Sequence, residues 1–281
     1  MLQVSDDQRN LTCEDGRPFF YLADTSWASF GNVPIELWRP YLRQRKAQGF
    51  NALQISILPI VNDRSVGPGL IEPFPRKPDG GYEYSSPNIV YFDKAEAMIE
   101  MAIEYEFIPV LGMIWCCYAV ERNTPNPYLM KTDEVRVFST FAATRFSRFN
   151  PIYFISGDTP LYNDEEIERY RVAFEVTKKI SPDALYTMHI CGNRVIDERL
   201  AEGIDFYMYQ SGHGATSQSA SRKLAAAFRE LPRKPIVNGE PCYEGHGRMG
   251  DGDANKFSAF DVRRATWQSL LSGASMGITY G

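Results

Sequence analysis

Short apolar segments alternate with helical patterns along the whole chain, and this alternation limits the folds open to it. Eight segments read as buried strands: residues 18–23, 50–57, 107–113, 151–156, 184–188, 206–209, 235–238 and 275–280. Helical spacing of apolar residues separates them: residues 34–48, 93–106, 132–146, 164–179, 195–201, 218–231 and 255–272. Strands that alternate with helices form parallel sheets, and a count of eight favours a closed α/β barrel, the (β/α)8 TIM barrel, over an open doubly wound sheet.

Chain length agrees with that fold. The 281 residues are 44% hydrophobic, which fits a single barrel domain spanning residues 1–281. No GxGxxG or P-loop motif supports the open sheet. The chain stops at Gly281, directly after the eighth strand, where a barrel normally adds a final loop and helix. The C-terminal end of the barrel is therefore expected to be truncated.

Charge and cysteine content limit which binding partners and which stabilising features the chain is expected to have. The net charge is −5 with dispersed basic residues, which argues against nucleic acid. Five cysteines without CxxC spacing argue against a disulfide framework and a structural zinc site. Residues 1–20 lack a signal-peptide pattern, and no apolar run approaches the ~20 residues that span a bilayer. We expect a soluble chain with no membrane partner, cytoplasmic if its N-terminus is native and secreted or periplasmic if a signal peptide was trimmed. The oligomeric state is left open.

Two carboxylates follow apolar segments through a glycine. In residues 234–245, KPIVNGEPCYEG, a strand leads through Gly239 into Glu240, and in residues 152–160, IYFISGDTP, a strand leads through Gly157 into Asp158. One such motif alone is more often a surface turn with a solvated carboxylate. Two of them at strand ends predict the acid pair of a glycosidase, with carboxyl groups about 5–5.5 Å apart if the enzyme retains configuration.

Further polar and aromatic residues lie at or just beyond the ends of the predicted strands. Each of them alone is more often structural, and Asp24 serves equally well as a cap of the following turn. Their recurrence at the C-terminal ends of the strands predicts one substrate site at the mouth of the barrel. Residues 58–90 and 114–128, the latter with Asn123 and Asn126, are expected to be loops that help to build it. The predicted substrate-binding residues are Asp24, Trp27, Gln54, Trp115, Tyr118, His189, Gln210, His213 and Tyr243.

Successive strand-end motifs of the chain resemble one known family. LADTSW, GFNALQI, FISGD, TMHICG, YQSGH and VNGEPCYEG are similar to those of the apiosidase-like glycoside hydrolases, over nearly the whole chain. The resemblance implies an eight-stranded α/β barrel, with the aspartate after the fourth strand as general acid/base and the glutamate after the seventh as nucleophile. These roles carry over to Asp158 and Glu240. The chain departs from the family pattern at Ser156, where relatives are expected to have a second glycine before the aspartate.

Three hypotheses about function follow. The leading one is a retaining glycosidase that acts on a plant-type polysaccharide side chain or oligosaccharide, releasing a pentose such as apiose, without cofactor or metal. Glu244 is the rival of Glu240 as nucleophile and is interpreted as a loop residue. A metal-dependent hydrolase or isomerase would use His189, His213, Asp24 and Glu240 as ligands, although no HxH or HExxH spacing supports it. A carbohydrate-binding protein without turnover would need the aromatic residues alone.

Overall fold

The computed structural model describes residues 1–60, 71–121, 125–214, 216–249 and 252–281, except the side chains of residues 252–254. The described residues form two compact units, one of residues 1–25 with 185–281 and one of residues 26–184. In the described part of the chain, no helix has both the length and the apolar character that crossing a bilayer requires. The organisation as a single domain stays a prediction.

Strands and helices alternate in chain order. The strands are β1 (Leu2–Val4), β2 (Leu11–Cys13), β3 (Pro18–Phe19), β4 (Tyr21–Thr25), β5 (Ala52–Ser56), β6 (Ile108–Trp115), β7 (Ile152–Gly157), β8 (Tyr186–Thr187), β9 (Tyr207–Gln210), β10 (Ile236–Glu240), β11 (Gly247–Arg248), β12 (Gly252–Lys256) and β13 (Gly277–Tyr280). The helices are α1 (Ser29–Asn32), α2 (Ile35–Ala47), α3 (Ile89–Glu104), α4 (Cys116–Ala119), α5 (Thr132–Phe146), α6 (Asp164–Ile180), α7 (Glu198–Ala201), α8 (Ser217–Arg229) and α9 (Ala259–Leu271), with a 3₁₀ helix at Ser147–Phe149.

In the unit of residues 1–25 and 185–281, the parallel strands β4, β13, β10 and β9 lie side by side in that order. His189, just after β8, forms a parallel bridge with Met208 of β9. Helix α8 is strongly amphipathic in sequence and buries Leu224, Ala225 and Phe228. The C-terminal ends of β9 and β10 therefore lie next to each other within this unit.

In the unit of residues 26–184, β5, β6 and β7 form a parallel sheet. Every residue of β5 and β7 is buried, as expected of strands that are covered on both faces. Helix α6 begins at Asp164, as predicted, because the Asn163 side chain accepts a hydrogen bond from Glu166 N at 3.0 Å. The side chain of Trp38 in α2 donates to Met98 O of α3 at 2.8 Å and joins the two helices.

Predicted strand positions agree with the structure better than their ends do. The segment predicted as one strand over residues 18–23 is two strands, because Phe20 interrupts it: β3 pairs antiparallel with β2, and β4 continues to Thr25. The segment ahead of the first predicted strand also forms strands, since Leu2–Val4 (β1) pairs antiparallel with Leu11–Cys13 (β2). Strand β6 reaches Trp115, so the segment predicted as a loop from residue 114 begins with strand and continues as α4.

Two helix starts were also wrong. Helix α3 begins at Ile89 and not at residue 93, because the Asn88 side chain accepts from Val90 N and caps it. Helix α9 begins at Ala259 and not at residue 255, because residues 252–256 pair with β11 and Ser258 forms a capping box with Asp261. Part of the predicted loop 58–90 lies outside the described residues, and so does Asn123 of the predicted loop 114–128.

Candidate active site

Glu240 is the last residue of β10 and lies beside Gln210, the last residue of β9. The pairing of the two strands shifts between Asn238 and Glu240, an irregularity that re-aims the side chain at the strand end. Gly239 makes this approach possible, because a Cβ there would lie 2.3 Å from Met208 Cγ. The strand-Gly-Glu motif is therefore a close contact between two strands and not a surface turn.

Two histidines hold the Glu240 carboxylate. His213 Nε2 lies 2.8 Å from Glu240 Oε1, and His189 Nε2 lies 3.2 Å from Oε2. An ionised carboxylate only accepts hydrogen bonds, so the Nε2–H of His213 is the donor. Glu240 and His213 are 7% exposed and His189 is fully buried. The carboxylate is thus hydrogen-bonded at Oε1 and lies within ion-pair distance of His189 at Oε2, within a largely desolvated site.

Burial alone would raise the pKa of Glu240, but hydrogen bonds and charge from His189 and His213 outweigh it and hold the pKa well below its usual range. Glu240 is therefore ionised at neutral pH. A buried carboxylate that is ionised and oriented suits attack on an electrophilic carbon.

Aromatic rings pack on the His213 side of this site. The Tyr243 ring centroid lies 4.2 Å from that of His213, and the His246 centroid lies 4.7 Å from it. His246 is exposed, and its Nδ1 lies 2.6 Å from Gly247 O. The structure therefore adds His246 to the predicted His189, Gln210, His213 and Tyr243.

Two further acidic residues of this unit have different surroundings. Asp24 was predicted to follow its strand, but it lies within β4, pairs with Tyr280 of β13 and is 2% exposed. Glu244 is exposed, and its carboxylate accepts a hydrogen bond from Tyr280 OH at 2.8 Å. An exposed carboxylate tied to a neighbouring tyrosine fits the interpretation of Glu244 as a loop residue.

Asp158 follows β7 directly and is half-buried in its own unit. Its φ of 51° is in the left-handed region, which costs a non-glycine residue about 1–3 kcal/mol. Such strain is concentrated at functional sites, where surrounding contacts maintain it. The preceding Gly157 pairs with Trp115, and a Cβ there would lie 2.0 Å from the Trp115 ring.

An aromatic group accompanies Asp158. The rings of Trp27 and Trp115 are 5.1 Å apart between centroids, and both contact Phe154 of β7. The structure thus brings Trp27 and Trp115 together beside Gly157, the residue before Asp158, although it places Trp115 in β6 and not in the predicted loop. Flat aromatic surfaces beside a carboxylate suit a sugar ring.

The remaining predicted residues of this unit are buried. Tyr118 is fully buried in α4, and its hydroxyl donates to Pro59 O at 2.6 Å. We correct the predicted substrate contact of Tyr118 to a structural role, because its polar group is already bound by the backbone. Gln54 is fully buried within β5, inside the strand and not at its end.

The sequence model of the family described as "Apiosidase-like, catalytic domain" matches residues 5–281. The chain belongs to this family. The prediction of an apiosidase-like glycoside hydrolase family is thereby confirmed. A comparison with curated proteins finds no match.

Several solved structures similar to the apiosidase-like chain are glycoside hydrolases. A glycoside hydrolase family 5 protein from Bacteroides vulgatus has a TM-score of 0.79 and 24% identity, over 99% of this chain and 61% of that one. A second structure, described as a glycoside hydrolase, has a TM-score of 0.79 and 25% identity, over 99% and 65%. The endo-1,4-β-mannanase of Rhizomucor miehei has a TM-score of 0.65 and 11% identity, over 100% and 90%. The predicted (β/α)8 barrel is confirmed, and the chain spans less than two thirds of the length of the first two structures.

A buried polar network behind Glu240 was not predicted from the sequence of the apiosidase-like chain. Asn238 Nδ2 donates to Ser211 Oγ at 2.9 Å and to Ser269 Oγ at 3.1 Å. The backbone N–H groups of Ser211 and Gly212 both donate to Glu240 O, at 3.1 and 3.0 Å. Asn238 and Ser211 lie inside the motifs VNGEP and YQSGH, so both residues could have been singled out from the sequence. Their hydrogen bonds could not, because the partners are distant in the chain.

Metal ligation is the other chemistry that this site was predicted to allow. Among the described residues, no group of three or more His, Cys, Asp or Glu side chains is arranged to hold a metal ion. The Nε2 atoms of His189 and His213 are directed at Glu240. As arranged, these three residues form a carboxylate site held by imidazoles.

Proposed function

We propose that this apiosidase-like chain hydrolyses glycosidic bonds with retention of configuration, with Glu240 as nucleophile and Asp158 as general acid/base. The Asp158 carboxyl group gives its proton to the glycosidic oxygen as the bond to the leaving group breaks. The Glu240 carboxylate bonds to the anomeric carbon and forms a glycosyl ester. Asp158 then takes a proton from water, and the hydroxide that forms attacks the same carbon and releases Glu240.

One observation carries this proposal: the carboxylate of Glu240, at a strand end, is held by His213 and His189 at 2.8 and 3.2 Å. A nucleophilic carboxylate must be ionised and oriented, and these contacts supply both conditions. The histidines also limit its rotation, so that one oxygen lone pair can be presented to the substrate.

For Asp158 the support is the family motif together with its left-handed backbone beside Trp115. Retention by double displacement requires the carboxyl groups of Asp158 and Glu240 to be about 5–5.5 Å apart. A crystal structure with a bound sugar measures this separation. A separation of about 6.5–9.5 Å would fit an inverting enzyme, and a larger one would mean a different pair of residues.

The substrate that we propose is a plant-type polysaccharide side chain or oligosaccharide, from which a pentose such as apiose is released. Its support is membership of the apiosidase-like family. Trp27, Trp115 and Tyr243 would stack on sugar rings, while Gln210 and the two histidines would bind hydroxyl groups.

A panel of aryl glycosides that includes a β-apioside tests the proposed function. The wild-type protein should hydrolyse at least one of them, and Glu240→Gln should lower kcat/KM at least about 10³-fold. Glu244→Gln is the matched control and should stay within about threefold of wild type, because Glu244 is exposed on the loop. Sugar binding without turnover in the wild type would instead identify a carbohydrate-binding protein.

A further inference from the structure

A cavity lined by basic side chains lies at the end of β10 that is remote from Glu240. Its volume is about 280 Å³, and Ile236, the first residue of β10, is part of its wall. With a rise of about 3.3 Å per residue, the strand puts the first Cα about 13 Å from that of Glu240. We call this space the basic cavity; its charged lining residues are Arg9, Arg229, Arg233 and Lys234.

Three of these side chains carry guanidinium groups with unused donors. Among the described residues, the guanidinium groups of Arg9, Arg229 and Arg233 make no hydrogen bond and no ion pair. No acidic residue lines the cavity. Asp7 is a fully exposed carboxylate near these arginines. Its pKa is lowered mainly by a hydrogen bond from Ser5 and further by the charges of Arg9 and Arg233.

Two features keep positive charge at the cavity. The stem of Arg229 crosses Gly273, where a Cβ would lie 2.1 Å from Arg229 Cδ, so a glycine leaves room for the arginine. Gly273 also has a φ of 118°, which favours glycine. Lys234 Nζ donates to the backbone oxygens of Glu202 (3.3 Å) and Ile204. The ammonium group is thereby anchored while its charge stays beside the cavity.

Like charges that converge on one concave surface repel each other unless an anion lies between them. Guanidinium groups present paired N–H donors that match the oxygens of phosphate or carboxylate. Part of the wall is apolar, with Phe228 and Ile236 both buried, which suits a carbon skeleton attached to the anion.

We propose that the basic cavity binds an oxyanion, the phosphate or carboxylate group of a small molecule such as an acidic sugar, separately from Glu240. Neither the family nor the proposed hydrolysis assigns a ligand to this end of the strands. The proposal does not depend on the proposed function, because its test measures binding and not turnover.

Titration calorimetry of the whole chain at constant ionic strength tests it, with inorganic phosphate and D-galacturonate in separate arms and NaCl as the ionic control. At least one of the two anions should bind with a Kd in the millimolar range or below, and NaCl should give no signal. Arg9→Gln, Arg229→Gln and Arg233→Gln combined should raise Kd at least tenfold. Should that variant fail to fold, Arg233→Gln alone should raise Kd at least threefold, because its side chain is exposed.

The matched control removes the same charge from three exposed arginines elsewhere, as Arg136→Gln, Arg222→Gln and Arg263→Gln. It should leave Kd within twofold. Glu240→Gln should also leave Kd unchanged, whereas loss of binding in that variant would locate the anion at the carboxylate site and overturn the proposal. Binding that NaCl reproduces, or that the control arginines weaken equally, would overturn it as well.

Discussion

Replacement of Asn238 by alanine tests whether the buried network positions Glu240. The Asn238 side chain donates at 2.9 Å to Ser211 Oγ and at 3.1 Å to Ser269 Oγ, and its oxygen accepts from Ser211 N at 3.4 Å. Asn238 is fully buried, so water cannot replace these partners. Ser211 N also donates to Glu240 O, so a shift of Ser211 moves the residue that carries the carboxylate.

The expected loss of stability follows from these contacts. Ser269 Oγ keeps its bond to Ala265 O at 2.9 Å, and Ser211 Oγ keeps the one from Ser221 Oγ at 3.1 Å, so neither hydroxyl is left without a partner. The cost is therefore that of three hydrogen bonds, each contributing about 0.5–1.5 kcal/mol. Asn238→Ala should lower the free energy of unfolding by about 2–4 kcal/mol.

Urea unfolding measures the stability of Asn238→Ala. Steady-state kinetics on the best aryl glycoside, expressed per folded molecule, measures its kcat and KM. We expect kcat to fall about tenfold with a smaller change in KM, because misplacement of a reacting group acts on the chemical step. Ser219→Ala removes a single exposed hydrogen bond from α8 and is the control, with a loss below about 0.5 kcal/mol. A loss below about 1 kcal/mol for Asn238→Ala together with unchanged kcat would show that the network does not position Glu240.

Two further changes address the residues that surround Glu240. His213→Gln removes a hydrogen bond and a charge that lower the pKa of Glu240. The pKa of Glu240 should therefore rise, and the acid limb of the pH profile of kcat/KM should move to higher pH. An unmoved acid limb would mean that the ionisation of Glu240 does not control that limb. Gly239→Ala places a Cβ 2.3 Å from Met208 Cγ, so it should lower the free energy of unfolding by about 1–3 kcal/mol. Thermal melts measure this loss. Gly214→Ala is the control and should change stability little, because no heavy atom lies within 4 Å of a Cβ there.

Strand and helix order was predictable from this sequence because burial on both faces leaves a clear pattern. Each of the segments predicted as a barrel strand contains an observed strand, although β10 continues to Glu240, two residues beyond the predicted end at Asn238. The errors occur where local signals compete. Asn255 and Lys256 were predicted to begin a helix but belong to β12, which pairs with β11, and the short segments β1 and β2 form strands through their backbone pairing.

The site was predictable residue by residue but not in its contacts. His189 and Glu240 are distant in the chain, so their separation of 3.2 Å depends on the parallel order of β9 and β10 and the bridge from His189 to Met208. Tyr118 illustrates the converse: an aromatic residue near a strand end was expected to bind sugar, but α4 turns it into the interior, where it bonds Pro59 O.

Chemical rescue of Glu240→Ala tests the assignment of the nucleophile most directly. Glu240 lies at a strand end, so its truncation should abolish turnover and leave the fold intact. Added azide enters from the face that the carboxylate had occupied and should give a glycosyl azide of inverted configuration from an activated aryl glycoside. In Asp158→Ala the nucleophile remains, so azide should instead give a product of retained configuration.

The configuration of the azide product of Glu240→Ala, determined by proton NMR, is the measurement of choice. We expect the inverted glycosyl azide, with Glu244→Ala behaving as wild type. A retained product from Glu240→Ala would show that the two carboxylates have exchanged roles. Full activity of that variant without azide, with loss of activity in Glu244→Ala, would identify Glu244 as the nucleophile in place of Glu240.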